Sequence, residues 1–468
     1  MASICSLFVF IAVFSSIESR RLEFVQALWR HGDRAPLHLP YPNDLYTEKS
    51  WSRGWGQLTS IGMQQLHELG DFFRHQYVDT GFIPANFSVK EVFTTSKFLN
   101  SQTSTFQVYL RSSDSDRALV SAQAFLYGLY PAAGGYQWSA DTDWQPLPVH
   151  ASTPGQPDLV SFPIQCTVVL MISYLQCVRK IRNIHYIQTV FFEVCKPTAI
   201  KCARHETLVS QGDQEAKAIY DVKYADFFSE LSLTTGFKNC SYLDINGLFD
   251  VQRELIHNMT AKQPAWVSQH WNQYDNRSSM DIITEMRTVR MMNLFNSEEK
   301  GKLQGGSVLN NWIQNAVAVS ESRNDQRMLL YSSHDGVLLA LLNAFRASND
   351  MMVPYAAALI MHVYSDNGKY YSEVNTNLNV SISVSTFQLY YRNDTTTDPY
   401  RIPLSRCPDP CEVSQLASAF ENMTVSDLSE MMTLCGTPLK ECGSSSSPSF
   451  NVLAYFSVYL LSILFFSQ

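Results

Sequence analysis

The sequence predicts an α/β fold, and three junctions predict it. Leu22 to Trp29 is an apolar run, interrupted by Glu23 and Gln26, that ends in Arg30-His31; Val108-Tyr109-Leu110 ends in Arg111-Ser112-Ser113-Asp114; Met328 to Tyr331 ends in Ser332-Ser333-His334-Asp335. Each reads as a strand whose carboxyl end turns polar, followed by a helix signal. After the first, Leu58-Thr59-Ser60 opens a helix with Met63, Leu66, Leu69, Phe72 and Phe73 on one face. After the second, Ala118, Leu119, Ala122, Phe125 and Leu126 recur at helical spacing behind the cap candidates Ser113 and Asp114, and Gly128 and Pro131 close the segment. After the third, Val337, Leu338, Leu341 and Leu342 repeat the pattern. Ligands of open α/β sheets sit outside the carboxyl ends of the strands, so the three polar junctions are expected to converge on one site.

The composition limits what that site can serve. The chain has 468 residues, 45% hydrophobic and 17% charged, which is enough for a large core and more than one domain. A net charge of −8 gives no overall basic field, which argues against nucleic acid as a partner. An anion must therefore be held by a local cluster.

Both ends read as targeting segments. Residues 1–19 carry an apolar run, Ser6 to Phe14, of signal-peptide length, followed by small residues at Ser15, Ser16 and Ser19. Residues 443–468 place Gly443 and four serines before an uncharged apolar tail, Phe450 to Phe466, the pattern of a glycolipid-anchor (GPI) signal; a membrane-spanning helix is the other reading. N-glycosylation sequons begin at Asn86, Asn239, Asn258, Asn276, Asn379, Asn393 and Asn422. Ten cysteines without zinc-like spacing suit an oxidising compartment. A glycoprotein of the secretory pathway, anchored to the cell surface or else lysosomal or secreted, is the expectation.

The chemistry at the junctions is specific. His31 with Arg30, Arg34 and Arg111 sets one imidazole among guanidiniums, the groups that clamp phosphate oxygens in a bidentate fork. Nearby positive charge lowers an imidazole's pKa and keeps it neutral, hence nucleophilic, in mild acid. Asp335 supplies a carboxyl able to protonate a leaving oxygen, and His334 a hydrogen-bond donor to the phosphoryl group. With arginines neutralising the charge, no metal and no cofactor is called for. His67, His75, His150 and His362 lie in no such constellation and read as surface or structural residues.

These residues match a known pattern. RHGDRAP (Arg30 to Pro36), with HD at His334-Asp335, resembles the histidine acid phosphatases, above all the prostatic and lysosomal animal enzymes. Further matches are GWGQLTSIGMQQLHELG (Gly54 to Gly70), YLRSSDSDR (Tyr109 to Arg117), WQPLPVH (Trp144 to His150), KLQGG (Lys302 to Gly306), PYA (Pro354 to Ala356) and YYRNDTTTDPY (Tyr390 to Tyr400). The resemblance implies a mixed open sheet with flanking helices, a phosphoglycerate-mutase-like core, under a mainly helical cap. The core would comprise residues 20–150 and 302–442 and the cap residues 151–301. It implies a phosphohistidine on His31, Asp335 as proton donor, and Arg30, Arg34, Arg111 and His334 as phosphate ligands. Bridges Cys202-Cys435 and Cys407-Cys411 follow from the same comparison, with Cys240 and Cys442 left to pair. Small phosphomonoesters, extending to phosphoproteins, are the implied substrates, and a homodimer the implied assembly. The alternatives are an inositol-polyphosphate (phytase-like) phosphatase of the same superfamily and a catalytically silent surface glycoprotein.

Departures from the family are local. Gly336-Val337 follow the HD pair where relatives carry a polar residue, and a cysteine pair is missing near His257-Asn258 and at Ala356-Ala357-Ala358. Val92 to Gln107 and Val374 to Gln388 split well-matched segments; both begin with Val and end in Ser-Thr-Phe-Gln, as translated in-frame introns can. Residues 166–195 form a third extra region. True insertions are the other reading, since Leu378, Val380, Ile382 and Val384 alternate as a strand does.

Overall fold

The computed structural model describes residues 21–87, 108–151, 202–324, 326–366, 384–394 and 397–436. The expectations for the two terminal signals, Asn379, Cys442, residues 92–107, residues 166–195 and residues 374–383 fall outside them. The strands are β1 (Arg21–Arg30), β2 (Val108–Ser112), β3 (His270–Trp271), β4 (Arg277–Ser278), β5 (Met328–Ser333), β6 (Ala358–Asp366), β7 (Val384–Arg392), β8 (Tyr400–Ile402) and β9 (Cys411–Glu412). The main helices are α1 (Ser60–Phe73), α2 (Asp116–Leu129), α3 (Ala203–Lys223), α4 (Ala225–Thr234), α5 (Ile245–Phe249), α6 (Val251–Ile256), α7 (Ser279–Met292), α8 (Glu298–Ser320), α9 (Asp335–Ala344), α10 (Val413–Phe420) and α11 (Leu428–Leu434).

Seven strands make one mixed sheet in the order β2-β5-β1-β6-β7-β8, with β9 also on β7. β1 and β2 run parallel to β5, whereas β6 is antiparallel to β1 and β7 to β6. The α/β expectation with a mixed sheet and flanking helices therefore holds. Strand alternation explains how β1 serves two layers. Phe24 and Leu28 enter the core with Leu309, Trp312 and Leu341 of α8 and α9; Val25, Ala27 and Trp29 enter the opposite core with Leu66, Leu69 and Phe125 of α1 and α2. Gln26, which interrupts the apolar run, is fully buried and satisfied by Asn311 at 3.2 Å and Asn315 at 3.0 Å on α8. A buried amide so paired costs little and fixes the helix on the strand.

α1 begins where the sequence places it, with the Thr59 hydroxyl accepting from the Gly62 amide at 3.1 Å. α2 begins at Asp116 behind Ser115, later than Ser113 and Asp114 had suggested. The two helices cross closely enough that a Cβ on Gly70 would stand 2.0 Å from the Phe125 carbonyl oxygen.

Residues of α3 to α7, joined by Tyr41 from the loop after β1, build a separate core with Phe227, Leu231, Trp266, Trp271, Ile282 and Met286, and Asp250 from this part pairs with Arg34. Disulfides Cys202–Cys435 and Cys407–Cys411 form as the resemblance implied. Cys240 keeps a free thiol, buried and pushed up to about 12 by that burial. Val384 to Gln388 form the first half of β7, paired with β6, and Phe387 is buried beside Phe345 at 5.9 Å.

Candidate active site

The turn after β1 is held by backbone contact. His31 N donates to Ser333 O at 2.9 Å, tying the ends of β1 and β5 together, and Gly32 lies against the start of α1. A Cβ on Gly32 would meet the Gly62 carbonyl oxygen at 2.2 Å, and one on Gly62 the Asp33 oxygen at 2.1 Å, so both positions require glycine. His31 is 3% exposed. Its Nδ1 lies 2.8 Å from Gly32 O, an atom that only accepts, so Nδ1 carries the proton and Nε2 keeps its lone pair. Burial, and then Arg30, His334, Arg117 and Arg34, hold its pKa well below 6.5. Burial and the surrounding cations thus favour the neutral imidazole.

His334 caps α9 and faces His31 with ring centroids 5.4 Å apart; its Nε2 lies 2.9 Å from Ser113 Oγ at the end of β2. Asp335 opens α9, where the Gly336 amide donates to Oδ1 at 2.9 Å and Arg30 sits 3.1 Å from Oδ2. Burial raises the Asp335 pKa, but Arg30, Arg287, His334 and Arg34 together outweigh it and the net shift is downward. Arg34 donates to Ala35 O at 2.8 Å and pairs at 3.4 Å with Asp250, which arrives between α5 and α6.

Of the residues singled out in the sequence, Arg30, His31, Arg34, His334 and Asp335 come together. Arg111 does not join them. It sits within β2 opposite Tyr331, bridges to His150, and lowers that histidine's pKa behind the effect of burial. Arg117, in the first turn of α2, takes the place expected for it: it acts on His31 and lies near Arg30, Arg34 and Asp335, and its Nε is buried without a partner. The signal was available, because the crevice lies outside the carboxyl ends of the strands, where Arg117 stands and Arg111, a residue short of the end of β2, does not.

Several residues in and behind the wall were given no role by the sequence. Tyr355, ahead of β6, stacks on Arg30 at 3.9 Å and lies 5.7 Å from His31. Asp33 is buried; Thr59 Oγ1 donates to its Oδ2 at 2.6 Å, and His257 Nε2 lies 2.7 Å from the same oxygen. Trp51 packs edge-on to His257 at 5.1 Å. The pocket lined by Arg30, Arg34, Asp335 and Tyr355 measures about 680 Å³; Asp33, His257 and Trp51 pack behind its wall. Among the described residues no cluster of His, Cys, Asp or Glu could hold a metal ion, and no helix is long and apolar enough to cross a membrane.

A buried histidine with a free Nε2 thus stands among guanidiniums, at the carboxyl edge of a mixed sheet and beside a carboxylate, an arrangement suited to binding an anion. The model of the histidine phosphatase superfamily (branch 2) matches residues 21–377, and the chain belongs to that family. It is 28% identical to prostatic acid phosphatase of Homo sapiens, covering 95% of this chain and 97% of that one. It is 27% identical to the prostatic enzyme of Rattus norvegicus, over 88% of both chains. Lysosomal acid phosphatase of Xenopus laevis is 27% identical, over 90% of this chain and 81% of its own. Among solved structures, the phytase of Klebsiella sp. ASR1 aligns with a TM-score of 0.52 at 14% identity, covering 88% of this chain and 99% of that one. That likeness establishes the fold.

Proposed function

We propose that this chain is an acid phosphatase that hydrolyses phosphate monoesters through a phosphohistidine on His31, with Asp335 as proton donor. The observation that carries the reading is the orientation of His31: Nδ1 is committed to the Gly32 carbonyl at 2.8 Å, which leaves Nε2 for attack. Arg30, Arg34, Arg117 and His334 bind the phosphoryl oxygens. Nε2 attacks phosphorus, the ester P–O bond breaks, and the leaving oxygen takes the proton of Asp335. Water then attacks phosphorus, giving a proton to the Asp335 carboxylate as the new O–P bond forms; the P–Nε2 bond breaks and phosphate leaves with neutral His31 restored. Asp335 starts out ionised against Arg30. Substrate phosphate draws that guanidinium away and adds negative charge beside the carboxyl, raising its pKa toward the acid form. Turnover of para-nitrophenyl phosphate in mild acid, abolished in His31→Ala, tests the assignment; activity kept by that variant refutes it.

We read residues 20–150 and 302–442 as the catalytic core and 151–301 as the cap, a division supported by Phe249, Arg253 and Arg287, which reach the pocket from the middle of the chain. Passage through the secretory pathway is supported by the exposure of Asn86, Asn239, Asn258, Asn276, Asn393 and Asn422. Its relatives are named prostatic and lysosomal enzymes. Release from animal cells by a phosphatidylinositol-specific phospholipase tests the anchor.

A further inference from the structure

The phosphate site occupies one end of its pocket. From Arg30 and Asp335 the cavity extends to Asn246, Phe249, Arg253 and Arg287, and its volume of about 680 Å³ is in the range that encloses a small organic ligand, well beyond a phosphoryl group alone. Two aromatic rings lead from one end to the other. Tyr355 carries Arg30 at 3.9 Å and Arg253 at 4.7 Å from its centroid; Phe249 carries Arg253 at 5.6 Å and Arg287 at 5.8 Å. The guanidiniums thus form a row from the nucleophile into the cap.

Their counter-charges are unequal. Arg30 has Asp335 and Arg34 has Asp250. Arg253, 6% exposed, has among the described residues one carboxylate, Asp33 at 3.7 Å; its Nη2 donates to the neutral Gln252 Oε1 at 3.4 Å, and its buried Nε has no acceptor there. Arg287 has no carboxylate within ion-pair distance among the described residues; its hydrogen bond runs to Met291 Sδ at 3.6 Å, a weak acceptor. Burial lowers its proton affinity, Asp335 and Asp250 oppose that, and Arg30 and Arg290 reinforce it. The net downward direction fits a cation short of an anion, though a guanidinium stays charged at any working pH. A buried and a half-buried guanidinium whose donors are not all used match phosphate oxygens in both charge and fork geometry.

We propose that Arg253 and Arg287 form a second anion subsite, and that the enzyme prefers small phosphate monoesters carrying a second phosphate: one group is cleaved at His31 while the other rests on the cap. The proposal rests on the phosphatase reading of the site. A purely structural role for Arg287, stacking on Phe249 to hold the cap, makes a different forecast: its loss would affect all substrates alike.

The test compares kcat/KM of the full-length protein for fructose bisphosphate, phosphorylated on both terminal carbons, and fructose monophosphate, phosphorylated on one. Wild type is expected to favour the bisphosphate by about tenfold, the order of one charge-assisted contact. Arg287→Gln should remove most of that preference, and Arg287→Lys, which keeps the charge, should restore part of it. Arg253→Gln provides an independent variant with the same expected loss of preference. A wild-type ratio near unity, or a ratio unchanged in both Gln variants, overturns the subsite while leaving the phosphatase intact. Failure of wild type to cleave any monoester overturns the phosphatase reading, and the subsite with it.

Discussion

Replacing Arg117 by Gln tests the arrangement of the phosphate site, because sequence spacing favours Arg111 and the fold favours Arg117. Arg117 stands in the first turn of α2, lies near Arg30, Arg34 and Asp335, and has a buried Nε with no partner. A preorganised donor of this kind, aimed where phosphoryl charge develops, is worth roughly 3 kcal/mol, or about a hundredfold in rate. Arg117→Gln is therefore expected to lower kcat/KM for para-nitrophenyl phosphate by about two orders of magnitude. Arg111→Gln, at a residue that bridges His150, should change it by less than about threefold. A second readout follows from charge. Arg117 is one of the cations that hold His31 neutral, so its removal lets the imidazole pKa rise. Attack needs neutral His31, so the acid limb of the kcat/KM profile should move to higher pH in Arg117→Gln and stay in place in Arg111→Gln. Equal losses in the two variants, or a larger loss and a limb shift in Arg111→Gln, would refute the reasoning.

Asp335→Asn should slow an alkyl phosphate by about a thousandfold and an aryl ester with a good leaving group far less, since only the poor leaving group needs the proton; a uniform loss would remove Asp335 from that role. Glu254 is fully buried, and burial, with Asp44 beside it, raises its pKa from 4.5 to about 8. The unfolded chain ionises first, so stability is complete below about 4.5 and is lost as pH rises toward about 8; the melting temperature of Glu254→Gln should vary less across that window than wild type's. The register that pairs Asp366 with Val384 bears on the extra segment: with residues 374–388 absent, it would set Lys369 opposite Asp366 around Asn367-Gly368, the favoured two-residue hairpin loop. Peptide mass spectrometry of native protein should then yield a fragment reading from Glu373 directly into Leu389, whereas peptides containing Phe387 would establish the insertion as genuine.

What the sequence disclosed followed strand chemistry. β1 and β5 are parallel neighbours, and their apolar runs each stop at a polar pair, so Arg30, His31, His334 and Asp335 could be placed at one edge before any coordinates. The apolar run of β2 ends at Leu110, which puts Arg111 first among the polar residues of that junction. The strand in fact continues to Ser112, which keeps Arg111 inside the sheet and gives the crevice to Arg117. Asp250 and Arg253 lie at the start of α6 and Arg287 on α7, more than two hundred residues from His31, and no local period links them to it. Tyr355 was visible only as part of a matching tripeptide, since its stacking on Arg30 depends on the return of β6 beside β1. Asp33 looked like one more charge in a loop; its burial follows from the approach of α1 that Gly32 and Gly62 permit.

The central claim is that His31 Nε2 becomes covalently phosphorylated. Rapid acid-free quenching of enzyme turning over a labelled phosphomonoester, followed by peptide mapping, tests it most directly. Label should be found on the peptide containing His31, stable to base and lost in acid, and absent from His31→Ala. Label trapped equally on His31→Ala, or on a different residue of the wild-type enzyme, would contradict it.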